Sequence, residues 1–255
     1  MENYTLIHED ADMLIANKLT PIPVQPEKTG DPSLQDLLRE AASAKAAAAG
    51  AGSIFLEAAH RIDRRASGAV IFAKTHRALE TLEADFRARR VLKTYLACVE
   101  REPSAESGRL EHRLIWDKRS NVVRAVPVAR AEGLLITAKT DIDASPGKGQ
   151  GTAQTKEPGE LAILDYRIVS KSDRYWLVEV DLHTGRHHQI RAQLAAAGFP
   201  IRGDVKYGAK RTTKNGLIML HARRLSMIQP RTREEFEVVA PFPSTEPLWS
   251  AFSGA

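Results

Sequence analysis

His60 to Gly68 read HRIDRRASG, and the next six residues, Ala69 to Lys74, read AVIFAK. The reading of the whole chain turns on this stretch. The apolar run is short enough for a buried strand. It places Asp63 in the loop that enters the strand, between Arg61 on one side and Arg64 and Arg65 on the other. Such a carboxylate has cationic partners at hand while burial weakens its hydration. Taken alone, the pattern is more often a structural ion pair than a catalytic acid.

The segments around it supply the rest of the frame. His76 to Arg90 carries Leu79, Leu82 and Phe86 at helical spacing with charged residues between them, which predicts an amphipathic helix. VLKTYLACV, Val91 to Val99, then reads as a strand bearing Tyr95, 32 residues after Asp63. Strand, helix and strand can bring the two side chains together, although a mid-strand tyrosine is ordinarily core. Upstream, Ile7 to Asn17 suggests a first strand. Ser33 to Arg39 suggests a helix capped by Ser33, whose alanine-rich tail runs through Ala41 to Gly52 into a mobile connector. Residues 101 to 160, rich in Pro, Gly, Ser and Lys, give the least readable pattern, and within them Ser145 to Glu160 reads as a long flexible loop. LAILDYRIV and YWLVEVDLH, joined by SKSDR, form a strand pair. His187 to Ala197 follows as a helix capped by Thr184 and closed by Gly198, and LIMLHARRLSMI is a late long strand. Many strands with few helices predict an α+β fold built on a mixed, largely antiparallel sheet.

Composition narrows the class. The 255 residues are 43% hydrophobic and 27% charged, ordinary for a soluble globular protein. The sequence has no apolar run of membrane-spanning length and no secretory signal, so a cytoplasmic protein is expected. Its single cysteine, Cys98, lies in an apolar run and is expected to pack rather than react. The net charge is +5, unevenly spread. Leu182 to Arg233 holds eleven Lys or Arg against one acid, Asp204, and Arg61 to Lys93 holds nine against four. A zone of this kind attracts a polyanion. His183, His187, His188 and His221 have no carboxylate or cysteine motif at ligand spacing beside them, so no metal site is expected. GxxxxGK[ST] and GxGxxG are both absent, so neither is a nucleotide cofactor.

Four long segments, in order, give these pieces a common meaning. HRIDRRASG resembles the HRLDRxTSG signature of the RluA family of RNA pseudouridine synthases. KTYLACV (Lys93 to Val99), TGRHHQIRAQL (Thr184 to Leu194) and PIRGDVKYG (Pro200 to Gly208) resemble the family's other marks. LHARRL, Leu220 to Leu225, also fits, and IHEDADMLIANK, Ile7 to Lys18, is similar to the family's entry strand. The likeness covers about residues 60 to 100 and 160 to 228. It implies one catalytic domain over residues 1 to 255, with no room for the small RNA-binding domain that often precedes it. It also implies a cofactor-free isomerase acting on rRNA or tRNA, expected to be monomeric.

The resemblance assigns the catalytic carboxylate to Asp63, either as nucleophile at the sugar or as base at the ribose. Tyr95 matches the tyrosine that stacks on the target base and has been linked to proton removal. Arg191 matches the basic partner of the carboxylate, and Arg61 an arginine that fills the gap left by a flipped nucleotide. Arg64, Arg186 and His188 are expected to contact RNA. Three positions depart from the pattern: Ala66 for threonine, Arg65 for an acidic residue, and Gln193 for histidine. Two other readings compete. A catalytically silent RNA-binding protein has no need of Asp63, Tyr95 and Arg191 together. A retaining glycosidase needs two carboxylates, and within the motifs only Asp204 offers a second.

Overall fold

The structure is a computed structural model that describes residues 2–50, 52–128, 159–244 and 246–252. The N-terminal apolar pattern forms two strands rather than the single one expected, β1 (Tyr4–Glu9) and β2 (Met13–Lys18). The break falls at Asp10, whose carboxylate accepts from the backbone N–H groups of Asp12 and Met13 at 2.8 Å and closes the turn. Helix α1 (Leu34–Ala48) follows, with Ser33 as N-cap in a capping box with Asp36. It runs to Ala48, taking in most of the alanine-rich tail as expected, because the alanines carry high helix propensity even without large apolar anchors. Short β3 (Glu57–Ala58) and fully buried β4 (Ser67–Ala73) flank the Asp63 loop. Helix α2 (His76–Arg87), capped by the Thr75 side chain, leads to β5 (Leu92–Val99).

The next segment, where the sequence is least readable, is structured. Residues 101 to 128 contain a hairpin, β6 (Ser107–Asp117) and β7 (Val122–Pro127). Residues 129 to 158, which include most of the loop expected at Ser145 to Glu160, lie outside the described residues. The predicted strand pair is present as β8 (Glu160–Lys171) and β9 (Trp176–Leu182), followed by α3 (Gln189–Ala196), β10 (Leu220–Ile228) and β11 (Glu235–Val239).

The strands form one eleven-stranded sheet in the order β1-β2-β4-β10-β5-β9-β8-β6-β7, with β3 beside β4 and β11 beside β10. Every pairing is antiparallel except β4 with β10, so the sheet is mixed and largely antiparallel, as expected. Together with the three α-helices of the described residues it is an α+β fold. The parallel contact sets the geometry of the centre. Gly68 pairs with Ala222, Ala222 with Tyr95, and Tyr95 with Val180, one lateral row across four strands. Gly68 has φ +115°, and a Cβ there would lie 2.4 Å from the Ala222 carbonyl oxygen. Only glycine lets β4 approach β10 this closely. That approach delivers the Asp63 loop to the row that holds Tyr95. Cys98 is buried in β5, where burial pushes its thiol up, as its packing role predicts.

Candidate active site

The Asp63 loop is closed by its own backbone: the Ala66 N–H donates to the Asp63 carbonyl at 3.0 Å. Ala66 is buried against the site, so the loop keeps its turn without a threonine hydroxyl. Arg65 is occupied outward, its Nε donating to the Gly216 carbonyl at 2.7 Å while its own carbonyl accepts from Ile218. From the other side, Lys18 at the end of β2 is fully buried and donates to the carbonyls of Thr20 (2.9 Å) and Arg64 (2.7 Å). Burial lowers the Lys18 pKa to about 7, against the attraction of Asp63 and with help from the Arg64 charge.

Arg191 is the third residue of α3 and brings the site together. Its Nη1 donates to Asp63 Oδ2 at 3.2 Å. Its Nε and Nη2 donate to the two oxygens of Asp204 at 2.6 and 2.9 Å. The predicted pairing with Asp63 is therefore present, but the bidentate partner is Asp204. The Asp204 side chain is 0% exposed, the Arg191 side chain 5% and that of Asp63 20%. Burial opposes the Arg191 charge; Asp204 and then Asp63 more than offset this and raise its pKa. The Tyr207 ring closes the underside, 4.9 Å from the guanidinium carbon.

A cavity of about 190 Å³ opens above Asp63, lined by Arg61, Tyr95, Lys93, Gly185 and His187 among others. It is smaller than the roughly 300 Å³ at which pockets for drug-sized ligands begin, and suits one base rather than a pair. Tyr95 is buried in its wall. Burial, and after it the Asp63 charge, push the phenol upward, so the hydroxyl stays protonated at neutral pH. Arg61 is exposed at the mouth and makes no side-chain hydrogen bond or ion pair among the described residues. Beside the cavity lies a wider cleft of about 590 Å³ lined by Arg87, Arg89, Lys93, His183 and Arg186.

The other expected RNA contacts divide. Arg186 borders both cavities and pairs with Glu160 at 2.9 Å. Arg64 is placed on the loop before α1, with Nε on the Pro21 carbonyl at 3.1 Å and Nη2 on Asp31 at 2.7 Å. His188 sits at the start of α3 with φ 53° and caps no backbone group. Thr184, predicted as that cap, instead donates to Gln189 Oε1 at 2.9 Å and accepts from the Ile163 N–H. Thr184 thus meets α3 through the side chain of its first residue, Gln189, and not through a backbone N–H.

The histidines also part company. His183 contacts Asp165 at 2.5 Å, away from the site. His187 and His188 stack at 3.9 Å and, with Asp63, bring one ligand atom each within 4.8 Å of one another. The sequence hid this because the carboxylate comes from 124 positions earlier. Arg61, Arg191 and Lys206 surround the trio and oppose a bound cation; burial and then these charges lower the His188 pKa to about 2. Its Nδ1 lies 2.9 Å from the Tyr207 hydroxyl, which already accepts from the Val123 N–H. The hydroxyl thus donates to a neutral His188. Gln193, the third departure, shares the two N–H donors of its amide among the Leu110 carbonyl, the Ala162 carbonyl and His112 Nδ1, all within 3.2 Å, tying α3 to β6 and β8.

Asp204, Tyr207, Lys93 and Lys18 were not singled out as site residues, although each lies inside a segment that the resemblance uses. Their positions in those motifs were the available signal.

A mixed sheet that carries a buried aspartate–arginine pair beside a protonated tyrosine, in a cationic cleft, defines an α+β protein built around one anchored carboxylate. The model of the RNA pseudouridylate synthase family matches residues 12–196. The chain belongs to this family, in its RluA-type branch. It is 29% identical over 245 residues to "Uncharacterized RNA pseudouridine synthase YhcT" of Bacillus subtilis, covering 94% of this chain and 68% of that one. It is 31% identical over 193 residues to "Ribosomal large subunit pseudouridine synthase C" of Vibrio vulnificus, covering 73% of this chain and 52% of that one. The chain thus spans about half the length of several curated relatives it matches. The fold is similar to that of "Human RNA Pseudouridylate Synthase Domain Containing 1", with TM-score 0.70, 23% identity and coverage of 98% and 87%.

Proposed function

We propose that this protein isomerises particular uridines of structured RNA, rRNA or tRNA, to pseudouridine, with Asp63 as the essential carboxylate. The observation that carries the reading is the anchoring of Asp63. Arg191, fixed by two bonds to buried Asp204, gives Asp63 Oδ2 one hydrogen bond. Oδ1 receives none among the described residues and is left for the substrate. The reaction breaks the bond from ribose C1′ to N1 and joins C1′ to C5; C5 loses a proton and N1 gains one, so atoms balance without a redox partner or donor. This supports a cofactor-free enzyme.

Each neighbour has a part. Tyr95 offers a ring face to the base, and its protonated hydroxyl suits it to stacking and donation. Arg61, unpaired at the mouth, suits the gap left when a nucleotide leaves its stack. Arg186, Lys93, Arg87 and Arg89 line the adjoining cleft, where phosphates of the flanking strand would lie. Among the described residues no helix is long and apolar enough to cross a membrane, in keeping with an RNA-modifying role in the cytoplasm. The test is Asp63→Asn, which keeps shape and removes charge. Mass-spectrometric mapping of pseudouridine in RNA from a deletion strain, complemented with either form, identifies the target. Wild-type complementation should restore a missing pseudouridine and the variant should not, while purified variant still binds the RNA. Restoration by Asp63→Asn overturns the assignment.

A further inference from the structure

The β6–β7 hairpin carries an aromatic side chain that the fold does not use. Trp116 is 55% exposed, whereas a tryptophan is mostly covered in a folded protein. Its indole N–H donates to Asn121 Oδ1 at 3.2 Å across the hairpin turn, so the ring is held while its face stays open. From it a file of rings leads inward. The His187 ring lies 6.4 Å from the indole, edge-on, and stacks on His188 at 3.9 Å; His188 meets Tyr207 at 5.6 Å. Tyr207 underlies the Arg191 guanidinium that holds Asp63. Trp116 therefore stands at the outer end of an aromatic run that ends at the catalytic carboxylate.

The hairpin is fixed where it meets the site. The Val123 N–H donates to the Tyr207 hydroxyl at 3.0 Å, and Gln193 donates to the Leu110 carbonyl and to His112. Beyond Trp116, Lys118 and Arg119 are exposed and make no side-chain hydrogen bond or ion pair among the described residues. An open aromatic face beside free cations, continuous with a site for one extruded nucleotide, is the combination that binds single-stranded nucleic acid. Rings take the bases and cations take the phosphates.

We propose that Trp116 is a stacking platform for a base of the RNA strand flanking the target uridine. That strand leaves the Asp63 cavity along His187 and passes its phosphates to Lys118 and Arg119. The platform lengthens the footprint on RNA and tolerates any base, since every base has a π face. The inference rests on the reading that this protein acts on RNA.

The test uses a fluorescently labelled single-stranded oligouridylate of about ten nucleotides and an abasic ribose-phosphate oligomer of equal length, titrated at matched salt. Trp116→Ala should weaken oligouridylate binding roughly ten- to a hundredfold, the scale of one base–aromatic stack, and leave the abasic oligomer unchanged. Trp116→Phe should recover most of the loss, and Lys118→Ala should weaken both probes alike. Equal losses on the two probes with Trp116→Ala, or none on either, overturn the platform while wild-type RNA binding stands. Failure of the wild type to bind oligouridylate overturns the platform, while the RNA reading is decided separately by the Asp63→Asn complementation.

Discussion

Replacing Asp204 with asparagine removes one charge from a group with no solvent exposure and preserves its shape. In the native site its two oxygens accept from Arg191 Nε at 2.6 Å and Nη2 at 2.9 Å. An asparagine can accept from only one of these and turns its own N–H₂ toward the other. The guanidinium, 5% exposed, then keeps Asp63 as its only anion, through a single 3.2 Å bond. Breaking a buried ion pair from one side costs about 3–5 kcal/mol; one surviving hydrogen bond places the variant at about 3. For a chain of this size each kcal/mol moves Tm by roughly 2–4 °C, so Asp204→Asn should melt about 6–12 °C lower.

Turnover should fall as well, because a guanidinium released from its fork no longer holds Asp63 in place. A displacement of about 1 Å in such a site costs on the order of a hundredfold. Asp31→Asn is the internal control. Asp31 also bonds an arginine, Arg64, at 2.7 Å, but it is about half exposed, and solvent screens such pairs so that they contribute little to stability. Calorimetry of the three proteins, with single-turnover rates measured well below the lowest Tm, separates folding from chemistry. If Asp204→Asn melts within about 2 °C of Asp31→Asn and turns over normally, Asp204 does not hold Arg191.

Lys18 should impose a pH dependence on stability. Its pKa falls from 10.5 unfolded to about 7 folded, so between those values the unfolded chain binds more protons and stability rises with pH. From pH 7 to 9 that rise is at most about 2.7 kcal/mol, and Lys18→Met should lose it; an unchanged slope would point to another group. Arg61→Ala should slow reaction on a folded stem-loop far more than on an unstructured strand with the same uridine, in single-turnover assays. Equal losses would make Arg61 a phosphate contact. Exhaustive chelation should leave turnover intact, and added zinc should not raise it, since Arg61, Arg191 and Lys206 oppose a cation between Asp63, His187 and His188. Loss in EDTA with recovery in zinc would instead reveal a metal requirement.

What the sequence disclosed followed from how local each signal was. The α2 periodicity, the Ser33 cap, the buried strand after Asp63 and the β8–β9 pair are written in neighbouring residues, and the structure has them. The β1–β2 break was hidden because Asp10 makes its turn with a side chain, inside what otherwise reads as one run. The β6–β7 hairpin was hidden by exposure. Its strands cover one face only, so polar residues and an unburied Trp116 interrupt the apolar alternation. Thr184 looked like a cap by spacing, yet its hydroxyl serves Gln189 and Ile163.

Asp204 shows why the site itself was only half legible. In the sequence it is the one acid of a basic stretch, and its worth was judged as a possible second catalytic carboxylate. Its position excludes that use, since it is wholly buried and both oxygens are taken by Arg191. Its effect is on Arg191. A guanidinium with three bonds cannot swing, so the bond to Asp63 has a fixed direction and the second Asp63 oxygen has a fixed place in the cavity. With Asp204 occupying the fork, Arg191 holds Asp63 by one oxygen and leaves the other without a hydrogen bond among the described residues, which is the arrangement the proposed role of Asp63 requires.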